Sequence, residues 1–198
     1  MKKFFITLSV LAVVVALTAC NGAQQGWDDL IAKFKGRSVT IQTYDEESQL
    51  IDQVIGSHVD ITRDTQFDSY EAADSSVLKI SVGKNMMHHV GSSLIMYEDG
   101  LHDIMTEENA RVKIENYEKG TPLINYFVHD FKNFFGNGTS KVIMIRSQNG
   151  TPLAIFAGEE VSIFSTEIEK STGFRIDDKY LFVYRADYTV YDTALLEN

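Results

Sequence analysis

The only cysteine of this chain, Cys20, directly follows an apolar N-terminal leader and limits how the rest of the chain can be stabilised. Lys2 and Lys3 precede an apolar run from Phe4 to Leu17, which has the proportions of a secretory signal rather than of a membrane span. Because no other cysteine follows, the exported chain can form no internal disulfide bond. We therefore expect its fold to depend on a packed core, to which 12 phenylalanine and 9 tyrosine residues can contribute.

The residues before this cysteine form a processing signal. A small-residue cleavage sequence resembles the lipobox of bacterial lipoproteins, and it consists of Leu17, Thr18, Ala19 and Cys20. The resemblance implies that signal peptidase II cuts before Cys20, that diacylglycerol is attached to its thiol, and that the new N-terminus is often acylated. Two acyl chains on one residue anchor a protein stably, because each buried methylene contributes about 0.8 kcal/mol. The alternative is an ordinary secretory leader followed by a buried thiol. The lipobox is favoured because the apolar leader, the small residue Ala19 and Cys20 follow one another at the positions that a lipobox requires.

The lipid bilayer is therefore the expected partner, reached through Cys20 from the extracytoplasmic side of the cell membrane. Removing residues 1–19 from the 198 leaves 179, the size of one domain or of two very small ones. Without Lys2 and Lys3, the 18 basic side chains fall to 16 against 28 acidic ones, which gives a net charge of −12. Such a charge repels nucleic acid and anionic headgroups. We expect a signal peptide at 1–19, a lipidated tether at 20–26 and a single globular domain at 27–198.

The segment after the tether predicts an amphipathic helix that ends at Gly36. Its apolar face consists of Trp27, Leu30, Ile31 and Phe34. A helix on the membrane surface is the alternative, given the nearby anchor. Asp28 and Asp29 would then face anionic headgroups, so packing in the core is the favoured interpretation.

Short segments of alternating polarity predict strands along most of the remaining chain. They cover 39–44, 50–55, 59–61, 77–82, 86–90, 93–97, 111–117, 142–146, 153–156, 161–165, 179–185 and 188–191. The segment 50–55 could also form one helical turn. Asn149 and Gly150 predict a tight primed turn between the strands at 142–146 and 153–156.

A second helix is predicted at 122–135, with Thr121 as N-cap, Pro122 at the first helical position and Gly136 as terminator. Its apolar face carries Ile124, Phe127, Val128, Phe131, Phe134 and Phe135. The expected fold is α+β and mostly antiparallel β. It is a small sheet or barrel-like body with an N-terminal amphipathic helix and the helix at 122–135 packed on the sheet.

Thioether and imidazole groups in the segment from Met86 to His89 suggest copper handling on an extracytoplasmic protein. Successive side chains of a strand point to opposite faces, so His88 and His89 cannot both bind one ion from this segment alone. His58 or His102 would have to complete the site from elsewhere. His88 and His89 are therefore the candidate metal ligands, but the expectation is that no metal is bound.

The chain contains no phosphate-binding loop, dinucleotide-binding glycine pattern, paired cysteines or metalloprotease helix. Acidic clusters such as Asp45-Glu46-Glu47 are best explained as solvated turns, because sequence neighbours cannot show two carboxylates placed across a glycosidic bond. We therefore assign no catalytic residue and no cofactor.

The stretches from Arg37 to Asp45 and from His89 to Ile95 resemble an uncharacterised family of Gram-positive lipoproteins of similar length. The resemblance brings no catalytic residues. The expected function is a membrane-anchored surface lipoprotein with a non-enzymatic binding or envelope-associated role. The alternatives are a wall-directed hydrolase and a metal- or solute-binding lipoprotein, although solute-binding proteins with two α/β lobes need more residues than this chain has.

Overall fold

The computed structural model describes residues 24–106 and 141–196. The leader, Leu17 to Cys20, the predicted strand at 111–117 and the predicted helix at 122–135 lie outside the described residues. None of the helices in the described residues is long and apolar enough to cross a membrane.

Within the described residues, the N-terminal helix, α1, covers residues 24–36. Trp27, Leu30 and Phe34 are buried and Ile31 is half-buried, so the prediction that this face packs in the core is confirmed. Its last turn is closed by the N–H of Arg37, which donates to the Lys33 carbonyl oxygen at 2.9 Å. Residues 24–26 of the predicted tether are helical.

Twelve strands follow within the described residues. They are β1 (Ser38–Tyr44), β2 (Leu50–Ser57), β3 (Val59–Arg63), β4 (Leu78–Val82), β5 (Asn85–His89), β6 (Ser93–Glu98), β7 (Lys141–Arg146), β8 (Pro152–Gly158), β9 (Val161–Ser165), β10 (Ser171–Ile176), β11 (Lys179–Tyr184) and β12 (Asp187–Asp192). Short 3₁₀ turns lie at Thr65–Phe67, Ile104–Thr106 and Thr193–Leu196. The predominance of antiparallel strands is confirmed.

The strands form three open antiparallel sheets. The largest has the order β2-β1-β6-β11-β10-β9, and the two smaller sheets have the orders β12-β7-β8 and β3-β4-β5. Each described sheet ends in edge strands, so the barrel-like alternative is wrong. Closure is unnecessary here because both faces of the largest sheet are covered by other layers.

The largest sheet lies in the middle of the described structure, between two hydrophobic clusters. All six residues of β6 are buried. Leu94 and Met96 pack with α1 and the β3-β4-β5 sheet, whereas Ile95 and Tyr97 pack with the β12-β7-β8 sheet. A strand that is buried on both faces is apolar at successive positions rather than at alternate ones.

Two strands differ from the sequence predictions or decide between the alternatives that the sequence left open. Residues 50–57 form the edge strand β2 rather than a helical turn, and Leu50, Ile51 and Ile55 stay exposed. Strand β10 was not predicted, because its first half, from Ser171 to Gly173, carries no apolar alternation.

The predicted primed turn between β7 and β8 is wrong. Gly150 has a φ of 89°, whereas Asn149 does not have a positive φ. The N–H of Gly150 donates to the Ser147 carbonyl oxygen at 2.9 Å, and the N–H of Ser147 donates to the Thr151 carbonyl oxygen at 2.8 Å. The connection is thus a three-residue loop with one left-handed glycine, a longer hairpin type than the two-residue primed turn.

Candidate functional site

The candidate metal ligands lie on opposite faces of β5, as the strand geometry requires. His88 is half-exposed, and its Nε2 lies 3.1 Å from Asp64 Oδ2. His89 is buried, with its Nε2 2.8 Å from the Ser92 carbonyl oxygen and its ring edge-on to Tyr184 at 6.0 Å. Within residues 24–106 and 141–196, no three histidine, cysteine or acidic side chains are grouped so as to hold a metal ion. The structure therefore does not bring His88 and His89 together.

A cleft of about 710 Å³ lies at one end of the central sheet. Its position follows from the strand register, because Tyr44 at the end of β1 pairs with Ser93 at the start of β6. The end of β11 adjoins the same point, and Arg185 follows it directly. The loop that starts at Ser147, after β7, closes the cleft from the neighbouring sheet. Four connections that are distant in sequence thus form its walls.

Side-chain hydrogen bonds tie these walls to each other. Ser48 Oγ, after β1, donates to Ser147 Oγ at 3.0 Å in the β7–β8 loop. Asn149 Nδ2 of the same loop donates to the carbonyl oxygen of Glu46. Both contacts join residues about a hundred positions apart in the chain. The shape of the cleft is therefore largely formed in the absence of a ligand.

Two residues near the cleft have left-handed backbone conformations although they are not glycine. Arg185 has a φ of 51° and Ser48 a φ of 68°. The conformation of Arg185 is held on both sides, since its N–H donates to the Lys170 carbonyl oxygen at 2.9 Å and its own carbonyl oxygen accepts from Ser93 Oγ at 2.8 Å. Backbone strain of this kind persists only where the surroundings impose it, and it is concentrated at functional sites.

The cleft contains one arginine and three carboxylates. Asp45, Glu46 and Glu47 all come from the turn between β1 and β2, and Asp45 Oδ1 accepts a hydrogen bond of 2.7 Å from the N–H of Gln49. Arg185 lines the same cleft, and its Nε is buried without a hydrogen-bond partner. The site therefore offers both a cationic and an anionic region to a ligand.

A second cavity, of about 430 Å³, lies beside the first and shares Tyr44 and Glu47 with it. Tyr44 Oη donates to Gln42 Oε1 at 2.8 Å, and Gln42 Nε2 donates to Gln53 Oε1 at 2.9 Å. This chain of hydrogen bonds fixes the orientation of the amide groups on β1 and β2.

The buried carboxylate of Asp103 lies next to the second cavity. It accepts hydrogen bonds from the N–H of Ile155 at 2.9 Å and from the N–H of Met105 at 3.0 Å. Burial raises the pKa of Tyr97, and the nearby charge of Asp103 raises it further. A tyrosine hydroxyl is neutral at physiological pH even at its ordinary pKa, so the Tyr97 hydroxyl can act as a hydrogen-bond donor.

The family comparison gives one match, over nearly the whole chain. A model of a domain of unknown function, DUF5052, matches residues 2–196. The chain belongs to the DUF5052 family. No curated protein and no solved structure matches it. The expectation of an uncharacterised family is thus supported, and the cleft of this DUF5052 domain has to be interpreted from its own residues.

The sequence did not reveal this cleft in the DUF5052 domain. Asp45, Glu46 and Glu47 were expected in a solvated turn, and they do lie in a turn, but their place on a cleft wall has no local signal. Arg185 was expected at the end of a strand, and no motif marks it.

The contact of Ser57 Oγ with His58 Nδ1, at 3.2 Å, is exposed and lies at the opposite end of β1, so it contributes nothing to the cleft.

Proposed function

We propose that this DUF5052 protein is a lipid-anchored lipoprotein of the extracytoplasmic membrane face and that it binds a small polar ligand in the 710 Å³ cleft. The anchor is supported by the lipobox-like sequence that ends in Cys20. Four residue steps of at most about 3.6 Å each join Cys20 to residue 24, the first described residue of α1, so residue 24 lies within about 14 Å of the anchored cysteine. The domain, and with it the cleft, would work close to the bilayer.

One observation carries the binding role: polar groups from four separate connections converge on a preformed cavity. Ligand sites typically have volumes of roughly 300–1,000 Å³ and a small number of placed polar groups. The cleft volume of about 710 Å³ falls in this range. Ser92, Gln148 and Asn149 supply hydroxyl and amide groups beside the charged side chains.

The arrangement of acidic residues favours binding over glycoside hydrolysis. Hydrolysis needs two carboxylates on opposite sides of the scissile bond, about 5 to 9.5 Å apart. Among the described residues that line the cleft, the carboxylates all come from the single turn at Asp45 to Glu47. A second acid from another part of the lining would support a wall-directed hydrolase, and the remaining lining residues carry no carboxylate.

A blocking substitution tests the binding role. The mature lipid-free chain, residues 20–198 with Cys20→Ser, would be incubated with small-molecule fractions of a cell-wall digest and analysed by native mass spectrometry. We expect a bound adduct that Ser92→Trp abolishes, because the indole ring fills the cleft. Ser57→Trp is the matched control, since it adds the same ring at the opposite end of β1.

Three outcomes would contradict the proposal. An adduct that persists in Ser92→Trp places the ligand elsewhere. The absence of any adduct argues against a binding role for the cleft. Release of soluble fragments from intact wall material by the chain would establish the hydrolase instead.

A further inference from the structure

The Arg185 side chain differs from those of three other described arginines, each of which contacts a side-chain oxygen. Arg63 Nε lies 3.1 Å from Asp68 Oδ1, Arg37 Nε lies 3.9 Å from Glu98 Oε1, and Arg146 Nη2 donates to Thr189 Oγ1 at 2.5 Å. The Arg185 guanidinium has no such contact among the described residues, and its Nε is removed from solvent.

The Arg185 guanidinium stays charged at all physiological pH values, and its terminal nitrogens bond to no described residue, so they can bind an anion. The nearby acidic turn does not neutralise this charge, since none of the carboxylates described in the cleft forms an ion pair with Arg185. The backbone on both sides of the side chain is held, by Lys170 through the N–H and by Ser93 through the carbonyl oxygen. The side chain therefore cannot easily be carried to another partner by a shift of the loop.

We propose that Arg185 binds the carboxylate of a zwitterionic ligand, an amino acid or a short peptide, through its two terminal nitrogens, since Nε is removed from solvent. This inference rests on the proposed binding role of the cleft and names its ligand class. The guanidinium fork matches the two oxygens of a carboxylate. The acidic turn at Asp45 to Glu47 provides a counter-charge for the ammonium group of the same ligand.

The same acidic turn argues against a phosphate ligand. A phosphate monoester carries about −1.5 to −2 charges at pH 7, compared with −1 for a carboxylate. Three carboxylates in the cleft repel the more highly charged group more strongly. A zwitterion brings no net charge into a site that is already negative.

The test compares three pools of dipeptides built from the natural amino acids: free acids, C-terminal amides and N-acetylated peptides. Affinity would be measured by thermal shift and calorimetry on the mature lipid-free chain. We expect the free acids to bind at least about tenfold more tightly than the amides, because amidation removes the bidentate charged contact with Arg185. We also expect acetylation to weaken binding.

Substitutions assign the effect to Arg185. Arg185→Gln should reduce the affinity for the free acids to that for the amides, and Arg185→Lys should restore only part of it, because an ammonium group lacks the fork. Arg185→Gly removes the side chain at a backbone conformation that glycine adopts freely, so it keeps the test valid if Arg185→Gln fails to fold. Lys84→Gln, in the exposed turn after β4, is the control for the loss of one charge.

Equal affinity for acids and amides, or unchanged binding by Arg185→Gln and Arg185→Gly, would overturn the role of Arg185. If no peptide pool binds while a wall-digest adduct is still lost in Ser92→Trp, the ligand class is wrong but the cleft remains a binding site. If neither binds, the proposed function fails as well.

Discussion

At the scale of single residues, Gly173 shows how one missing side chain permits a close contact. It lies opposite Phe164 in the pairing of β10 with β9. A Cβ atom at Gly173 would lie 2.1 Å from Phe164 Cε2, so the ring covers the glycine directly. Phe164 also packs edge-on to Tyr180, with ring centroids 6.2 Å apart, and against Gly26 of α1. Covering a strand glycine with a cross-strand aromatic ring is a recurrent way to stabilise β-sheets.

We therefore expect Gly173→Ala to lower the free energy of unfolding by about 1–3 kcal/mol, because the added methyl group displaces the ring. Urea denaturation of the mature lipid-free chain would measure the loss. Gly36→Ala is the control, since a Cβ atom there meets nothing within 4 Å. Equal effects of the two substitutions would show that the contact with Phe164 is unimportant for stability.

At the scale of secondary structure, the sequence predicts strands well where apolar and polar residues alternate, because that pattern is local. Burial does not follow from the pattern alone. Strands β1 and β2 are both apolar in part, but β1 is covered on both faces whereas β2 forms the sheet edge. Which of two neighbouring strands lies at the edge depends on long-range pairing. For the same reason, β10 could not be found from its polar first half.

The neighbouring strands offer a matched pair of substitutions. Ile41 on β1 is 1% exposed, and Ile55 on β2 is 63% exposed. Ile41→Ala should cost about 2–5 kcal/mol of stability through lost burial and the cavity that remains. Ile55→Ala should cost less than about 1 kcal/mol, because most of the side chain is already in water.

Urea denaturation of both variants would check these values. Similar losses for the two substitutions would mean that β2 is covered and that its apolar residues belong to the core. The description of β2 as an exposed edge would then be wrong.

At the scale of the whole molecule, the candidate site arises from the way the sheets are stacked. Its walls come from residues near 45, 92, 148 and 185, and no spacing in the sequence connects them. The mostly antiparallel fold was predictable from short strands and hairpin spacing. The cleft was not, because it depends on the register between β1 and β6 and on the position of a second sheet. Arg185 becomes conspicuous only when the three-dimensional surroundings of its guanidinium, which has no partner among the described residues, are known.

The anchor and the cleft together define the proposed role, and the anchor depends on a single residue. Diacylglycerol on Cys20 would hold the start of the domain, at residue 24, within about 14 Å of the anchored cysteine, so ligands would be bound near the membrane rather than in the surrounding medium. The net charge of −12 without the leader gives anionic headgroups no electrostatic attraction to the domain. Attachment would consequently fail without the lipid.

Metabolic labelling with an alkyne analogue of palmitate tests this central claim most directly. Cells that express the wild-type protein should incorporate the label into the membrane-bound chain, and Cys20→Ser should abolish incorporation and leave the precursor unprocessed or released. Ala32→Ser, on the exposed side of α1, serves as a control that retains the label. Equal incorporation into the wild-type protein and Cys20→Ser would contradict the account.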